Sequence, residues 1–162
     1  KSNWKNDTSI NKNSIGIEIS NPGHHNGYKN FNKKQIKCLI KITRILVKKY
    51  KIKEQNILGH SDIAPLRKKD PGEKFPWKLL ANKKIGKWHN VNYVKCKKLR
   101  KKNFELEMDS FLKKLKKFGY CTNYSNSNEL IKIIKSFQRR FRPELIDGKL
   151  DLECFEIIKT LI

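Results

Sequence analysis

Apolar residues recur at helical spacing in four separate segments, and this pattern constrains the fold more than any other feature of the sequence. Between residues 33 and 50 they fall at intervals of three and four residues, which predicts an amphipathic helix with lysines on its opposite face. The same spacing predicts three shorter helices over residues 108–118, 130–141 and 152–161. Three helices of this size form a small all-α bundle.

A strongly basic stretch separates the first helix from the other three. Nine Lys/Arg residues and no carboxylate lie between residues 83 and 102, which is typical of a linker or an exposed basic arm. We therefore predict two domains, residues 1–90 and 105–162, joined by a basic linker over residues 91–104.

Two short apolar segments in the first domain are predicted to be strands. Residues 15–19, Ile-Gly-Ile-Glu-Ile, alternate around a glycine and end at the turn sequence Asn-Pro-Gly of residues 21–23. Residues 56–60 end in a histidine and precede a loop that contains two prolines. Strands combined with the long helix predict an α/β fold for this domain.

The charge balance favours anionic partners. The 162 residues include 38 Lys+Arg and 15 Asp+Glu, a net charge of +23, which suits nucleic acid, acidic membrane or anionic cell-wall polymer. A genome-wide bias towards Lys, Asn and Ile would produce the same charge without any function. The basic residues are spread over the whole sequence and carry no nucleic-acid-binding signature, so nucleic-acid binding is the weaker alternative and no specific nucleic acid is expected.

The cysteines and the hydropathy pattern exclude several classes. Cys38, Cys96, Cys121 and Cys154 contain no C-x-x-C pair, so neither a zinc knuckle nor a redox pair is predicted and single thiols are expected. No run approaches the roughly 18 apolar residues of a transmembrane helix, and the first residues of the sequence do not contain the hydrophobic region of a signal peptide. Because the sequence begins with Lys1 rather than Met, we expect a fragment or a processed product.

Residues 59–72, Gly-His-Ser-Asp-Ile-Ala-Pro-Leu-Arg-Lys-Lys-Asp-Pro-Gly, are the most informative about chemistry. His60 offers a nitrogen donor and Asp70 an oxygen donor of the kinds that zinc accepts, and the loop between them is long enough to fold back. A catalytic zinc site has three protein ligands and one open position, and only these two ligands are evident. By spacing alone, a hydrogen-bonded histidine is the more common interpretation.

Several motifs occur together in one order: residues 14–19, residues 21–23, and residues 59–72 followed by Phe-Pro-Trp at 75–77. Together they resemble the type-2 N-acetylmuramoyl-L-alanine amidases over residues 2 to about 81. The first four residues, Lys-Ser-Asn-Trp, resemble the family segment that leads into the catalytic strand. The resemblance implies a mixed β-sheet flanked by helices, incomplete at the N-terminus here. It also implies zinc-dependent hydrolysis of the amide between N-acetylmuramic acid and L-alanine in peptidoglycan.

The resemblance also implies roles for four residues. His60 matches the second zinc histidine and Asp70 the zinc aspartate. Glu18 matches the catalytic glutamate. A carboxylate buried on an apolar strand suits the role that this match implies, proton transfer from the attacking water to the leaving amine. Lys68 matches the catalytic lysine, where a cation two residues before a metal ligand stabilises the developing oxyanion. In so lysine-rich a sequence, Lys68 would otherwise be interpreted as a solvated side chain.

No residue matches the family's first zinc histidine, which lies upstream of the catalytic strand. His24 and His25 lie in a segment that resembles a surface loop and are disfavoured as substitutes, and His89 beside the basic stretch is disfavoured further. With two ligands we expect weak zinc binding and weak or no activity from this chain alone. A non-catalytic peptidoglycan-binding protein that keeps the amidase shape is therefore the main alternative.

Residues 105–162 resemble the three-helix peptidoglycan-binding module that is often fused after these amidases. The resemblance rests on short motifs at residues 115–120, 134–141 and 146–151. It implies a module that raises the local concentration of the protein on its polymer. We accordingly expect a monomer that acts on peptidoglycan or muropeptides in the bacterial cell envelope, periplasmic or associated with the outer membrane. A cytoplasmic recycling enzyme is the alternative location.

Overall fold

Helices provide the regular secondary structure of this protein, as a computed structural model that describes residues 2–100 and 108–162 shows. The helices are α1 (Lys33–Tyr50), α2 (His60–Ile63), α3 (Trp77–Ala81), α4 (Tyr93–Arg100), α5 (Met108–Phe118), α6 (Ser127–Phe141) and α7 (Leu152–Leu161). Within these ranges, no helix has both the length and the apolar character needed to span a bilayer. Lys1 and the predicted boundary between linker and second domain at residues 104 and 105 lie outside the described residues.

The predicted mixed β-sheet does not form among the described residues, so the α/β fold class is wrong for them. Their only β contacts are two isolated bridges, from Trp4 to Asp7 and from Trp4 to Tyr120. Residues 15–19 have no regular secondary structure, because a strand requires a partner for its backbone groups and no described segment pairs with this one. The predicted strand over residues 56–60 is also wrong, since the chain there passes from a 3-10 turn into α2.

Helix α1 begins and ends as predicted. The Asn32 side chain accepts a hydrogen bond from the Lys34 N–H at 2.8 Å, and the Gln35 side chain accepts one from the Asn32 N–H at 2.9 Å. This reciprocal capping box satisfies backbone donors that the first turn leaves unpaired. Lys51, with a left-handed φ of 51°, ends the helix. One face of α1 contributes to a small core, whose buried residues are Ile36, Leu39, Phe75, Trp77, Leu80 and Ile85.

A larger core forms between the C-terminal helices α5, α6 and α7, which confirms the three helices predicted from spacing. Helix α6 begins at Ser127, earlier than predicted, because the Asn126 side chain caps it by accepting from the Glu129 N–H at 3.0 Å. Trp4 also belongs to this core, with its ring centroid 5.6 Å from that of Phe118. The N-terminal segment is therefore packed into the C-terminal helices.

Part of the predicted basic linker folds as helix α4. Cys96 and Leu99 are buried in it, and Arg100 hydrogen-bonds to Glu153 and, at 2.6 Å, to Glu144. The expectation of an exposed arm is therefore wrong for residues 93–100. The partners of Arg100, Glu144 and Glu153, are distant in sequence, so the local pattern of residues could not predict these contacts. The division of the chain into two domains stays a prediction.

Candidate metal and catalytic site

The loop that follows α2 brings His60 and Asp70 together. His60 Nδ1 lies 2.5 Å from Asp70 Oδ2, and the Ser61 N–H donates to the Asp70 carbonyl oxygen at 2.9 Å. The two side chains are 42% and 53% exposed. The loop thus folds back on itself, as the sequence suggested, and both donor groups stay accessible from solvent.

Glycines at both ends of the motif allow this close return. A Cβ at Gly59 would lie 2.6 Å from Pro71 Cδ and 3.3 Å from the Trp77 ring. Gly72 has a φ of +87°, which favours glycine, and a Cβ there would collide with the Tyr28 hydroxyl. The motif needs glycine at both positions for steric reasons alone.

The donor types of His60 and Asp70 fit a zinc ion. One nitrogen and one carboxylate oxygen converge at an accessible position, which is the chemistry that zinc sites in proteins use. Within residues 2–100 and 108–162, no group of three or more His, Cys, Asp or Glu side chains is placed to hold a metal. The described structure therefore supplies two candidate ligands.

The other histidines are engaged elsewhere or lie apart from this pair. His24 forms a hydrogen bond with Glu73 at 3.0 Å and lies 4.4 Å from the Tyr28 ring centroid. His25 is exposed. His89 donates from Nε2 to the Phe141 carbonyl oxygen at 3.1 Å. None of them joins His60 and Asp70 in a three-donor group of the described residues.

Glu18 and Lys68 are not drawn into contact with the His60–Asp70 pair. Glu18 is exposed in the irregular segment at residues 14–20, so its predicted inward orientation on an apolar strand is wrong for this structure. Lys68 is half-buried and is held through its backbone N–H, which donates to the Ala64 carbonyl oxygen at 3.0 Å. The catalytic roles of both residues stay predictions.

Asp62, two residues after His60, lies at the centre of a buried polar network. Its side chain is 1% exposed, and its Oδ1 accepts from the Tyr120 hydroxyl at 2.5 Å. Its Oδ2 accepts from the Gly59 N–H at 2.7 Å and from Arg140 Nη1. Such partners are required because an unpaired buried carboxylate is strongly destabilising.

Two side chains of α6 complete this network. Arg140 also donates from Nη2 to the Ile57 carbonyl oxygen at 3.0 Å, and its guanidinium lies 4.0 Å from the Trp77 ring centroid. Ser136 donates from its hydroxyl to the Ser61 carbonyl oxygen at 2.5 Å. Helix α2 is consequently fixed to α6 through both side-chain and backbone groups.

The Tyr120 hydroxyl stays a donor in this network. Burial raises the pKa of Tyr120 well above its usual 10.0, and the charge of Asp62 raises it further. The phenol therefore keeps its proton at neutral pH and donates a hydrogen bond to the carboxylate of Asp62.

The roles of Asp62, Tyr120 and Arg140 were not predicted from the sequence. One signal was available, because Arg140 lies three residues after Phe137 and thus on the apolar face of α6. A charged residue on such a face needs a buried partner. That partner, Asp62, is 78 residues away, so the sequence pattern could not reveal the pairing.

Residues 2–73 match the family model described as N-acetylmuramoyl-L-alanine amidase. The N-acetylmuramoyl-L-alanine amidase AmiD of Escherichia coli (strain K12) is 34% identical over 168 residues. That match covers 98% of this chain and 60% of AmiD, so the chain spans about three fifths of the length of this relative.

Two solved structures follow the same backbone path. One is AmiD from E. coli in complex with the substrate anhydro-N-acetylmuramic acid-L-Ala-D-gamma-Glu-L-Lys, with a TM-score of 0.85 at 33% identity over 99% of this chain and 65% of that chain. The other is AMPDH3 from Pseudomonas aeruginosa in complex with anhydromuramic pentapeptide, with a TM-score of 0.86 at 30% identity over 99% of this chain and 66% of that chain. These matches agree with the motifs of residues 14–23 and 59–77, and residues 2–73 match the N-acetylmuramoyl-L-alanine amidase family.

Proposed function

We propose that this protein is an N-acetylmuramoyl-L-alanine amidase that hydrolyses the amide between N-acetylmuramic acid and L-alanine. The observation that carries the proposal is the accessible His60–Asp70 pair, 2.5 Å apart, inside the residues that match the family model. The two solved relatives hold anhydromuramyl peptides, which supports peptidoglycan-derived muropeptides as the substrate class.

The proposal includes Zn²⁺ as the cofactor, with His60 and Asp70 as two of its ligands. A bound zinc ion supplies Lewis-acid polarisation of the amide carbonyl and of the attacking water. Because the described residues offer two convergent donors, we expect purified residues 1–162 to bind zinc weakly and to act slowly.

Glu18 and Lys68 are the proposed catalytic residues of this chain. The exposed carboxylate of Glu18 has no hydrogen-bond or ion-pair partner in the described parts of the chain, so it can accept a proton from water and pass it to the leaving amine. Lys68 lies two residues before Asp70 in the loop that carries the pair. Its ammonium group would stabilise the negative charge that develops on the carbonyl oxygen.

We place this activity in the bacterial cell envelope and propose the C-terminal helices α5–α7 as a wall-binding unit. The net charge of +23 supports retention on an anionic cell-wall polymer. The structural matches to AmiD and AMPDH3 each cover 99% of this chain and therefore include these helices.

The proposal is tested by incubating residues 1–162 with Zn²⁺ and anhydro-N-acetylmuramic acid-L-Ala-D-γ-Glu-L-Lys, with mass spectrometry of the released peptide. We expect slow release that is lost in His60→Ala and Asp70→Ala. Glu18→Gln should slow release by roughly 10²–10⁴-fold, the usual contribution of a general acid/base. Lys68→Met should slow it by roughly 10²–10³-fold, the usual contribution of one oxyanion donor.

Matched controls are Glu54→Gln and Lys69→Met, which change the same residue types outside the proposed machinery. Equal release by the wild-type protein and His60→Ala would contradict the proposed hydrolase. Muropeptide binding without any release, unchanged in Glu18→Gln, would instead support the non-catalytic peptidoglycan-binding protein, which the two-donor arrangement favours as the second candidate.

A further inference from the structure

We propose that Tyr120 and Arg140 are positioning residues for the metal ligand His60, acting through Asp62. The inference rests on the proposed function, since it concerns the same zinc site. It assigns to the C-terminal helices a role in zinc binding in addition to the proposed attachment to the wall.

The short helix α2 carries the proposed metal ligand His60. Helix α2 comprises four residues, too few to be stable by itself, because helix nucleation is costly and short helices depend on tertiary contacts. Its orientation must therefore be set by its neighbours. Ser61 and Asp62 are 3% and 1% exposed, whereas the His60 side chain is 42% exposed, so the helix buries one face and directs the histidine outwards.

Hydrogen bonds from several elements fix the buried face of α2. Both oxygens of Asp62 are used, one by the Tyr120 hydroxyl at 2.5 Å and the other by the Gly59 N–H at 2.7 Å together with Arg140. Gly59 directly precedes His60. Since the donors approach from both sides of the carboxylate, a rotation of α2 would break at least one of these bonds.

The orientation of α2 sets the position of the proposed metal ligand His60. Groups that orient a metal ligand without touching the metal change metal affinity by about 10–100-fold when they are removed. Tyr120 and Arg140 act one link further away, through the backbone between Asp62 and His60. We therefore expect a smaller effect from the loss of one hydroxyl, roughly 3–10-fold.

The choice of variants follows from burial. Arg140 and Asp62 have side chains that are each 1% exposed, so removal of either charge leaves the other buried without its partner and threatens folding. Tyr120→Phe removes one hydroxyl and keeps the ring in the core, and is the sharper probe. Its matched control is Tyr124→Phe, because Tyr124 is 43% exposed.

The experiment measures the affinity of purified residues 1–162 for Zn²⁺ alone, by competition with a chromogenic chelator. Thermal unfolding with EDTA present is recorded in parallel, so that every titration is done on folded protein. We expect Tyr120→Phe to bind Zn²⁺ roughly 3–10-fold more weakly than the wild-type protein, and Tyr124→Phe to bind equally. Arg140→Lys, which keeps the charge, should lose less affinity than Arg140→Met.

A purely structural role predicts a different pattern, in which Tyr120→Phe lowers the melting temperature and the folded variant binds Zn²⁺ as tightly as the wild-type protein. That result would overturn the inference. If His60→Ala still weakened Zn²⁺ binding in the same experiment, the proposed function would stand. If His60→Ala bound Zn²⁺ as tightly as the wild-type protein, the proposed zinc site itself would be wrong, and the inference would fall with it.

Discussion

The backbone at Gly59 determines how close His60 can come to Asp70. Pro71 follows Asp70 and packs against the Cα of Gly59, where any side chain would have its Cβ 2.6 Å from Pro71 Cδ. The nearest atoms belong to a proline ring and to Trp77 rather than to a flexible side chain, so the loop itself would have to move. The requirement for glycine at residue 59 is therefore steric.

We predict that Gly59→Ala destabilises the protein by about 1–3 kcal/mol, the usual cost of overpacking a tightly packed position. Gly16→Ala is the control, because a Cβ at Gly16 meets nothing within 4 Å and should change stability by less than about 0.5 kcal/mol. Urea unfolding followed by circular dichroism measures both. Equal free energies of unfolding for the two variants would contradict the close approach of Gly59 and Pro71.

The longer helices α1, α5, α6 and α7 were predictable from the sequence and the two strands were predicted wrongly, because helices and strands depend on different information. Helix α1 satisfies its own backbone and carries its capping residues in the adjacent sequence, so periodicity located it. Residues 15–19 have the alternation of a strand, but a strand needs a partner that alternation cannot supply. Helix α4 was missed because its apolar residues are sparse and its ion pairs with Glu144 and Glu153 are distant in sequence.

The candidate site was also predictable only where its residues lie within one local motif. His60 and Asp70 lie within one motif, and the resemblance of that motif to the amidases, rather than its spacing, predicted both side chains as zinc ligands; the structure shows them 2.5 Å apart. The inward orientation of Glu18 depended on a predicted sheet that the described residues do not form. Arg140 and Tyr120 lie outside the motif, so their hydrogen bonds to Asp62 became visible only in the folded protein.

At the level of elements, His89 connects the segment before α4 to the end of α6. Its Nε2–H donates to the Phe141 carbonyl oxygen, and its ring stacks on Trp88 with centroids 4.9 Å apart. Burial lowers the pKa of His89 below its usual 6.5, although the hydrogen bond to Phe141 opposes the shift. The folded state therefore prefers the neutral ring, and this contribution to stability is present above pH 6.5 and is lost as the pH falls through the folded-state pKa.

We predict that the free energy of unfolding falls less between pH 8 and pH 5 in His89→Gln than in the wild-type protein. The substitution removes a side chain that becomes protonated at a higher pH in the unfolded state than in the folded state. It keeps a side-chain amide that can donate a hydrogen bond to the Phe141 carbonyl oxygen. Urea titrations at several pH values measure the difference. The control is His25→Gln, since His25 is exposed, and an equal pH dependence in all three proteins would contradict the prediction.

Across the whole molecule, three tryptophans connect the parts of the chain that the sequence assigned to separate domains. Trp4 lies in the core of the C-terminal helices, while Trp88 packs against both cores. Trp77, in the smaller core, lies beneath the guanidinium of Arg140 from α6. The buried ion pair of Asp62 and Arg140 adds a further contact between the two parts. If the parts separated, each of the two charged side chains would lose its partner.

We therefore predict that the two cores unfold together. Native-state hydrogen exchange in increasing urea should give the same opening free energy for the amide of Leu80 in α3 and that of Ile157 in α7, because cooperative units exchange as one. Amides near Tyr50, at the exposed end of α1, serve as the internal control and should exchange at lower free energy through fraying. Loss of protection at Leu80 well before Ile157 would support the predicted domains of residues 1–90 and 105–162 as independent units. It would also show that the contacts through Asp62 and Trp88 do not couple their folding.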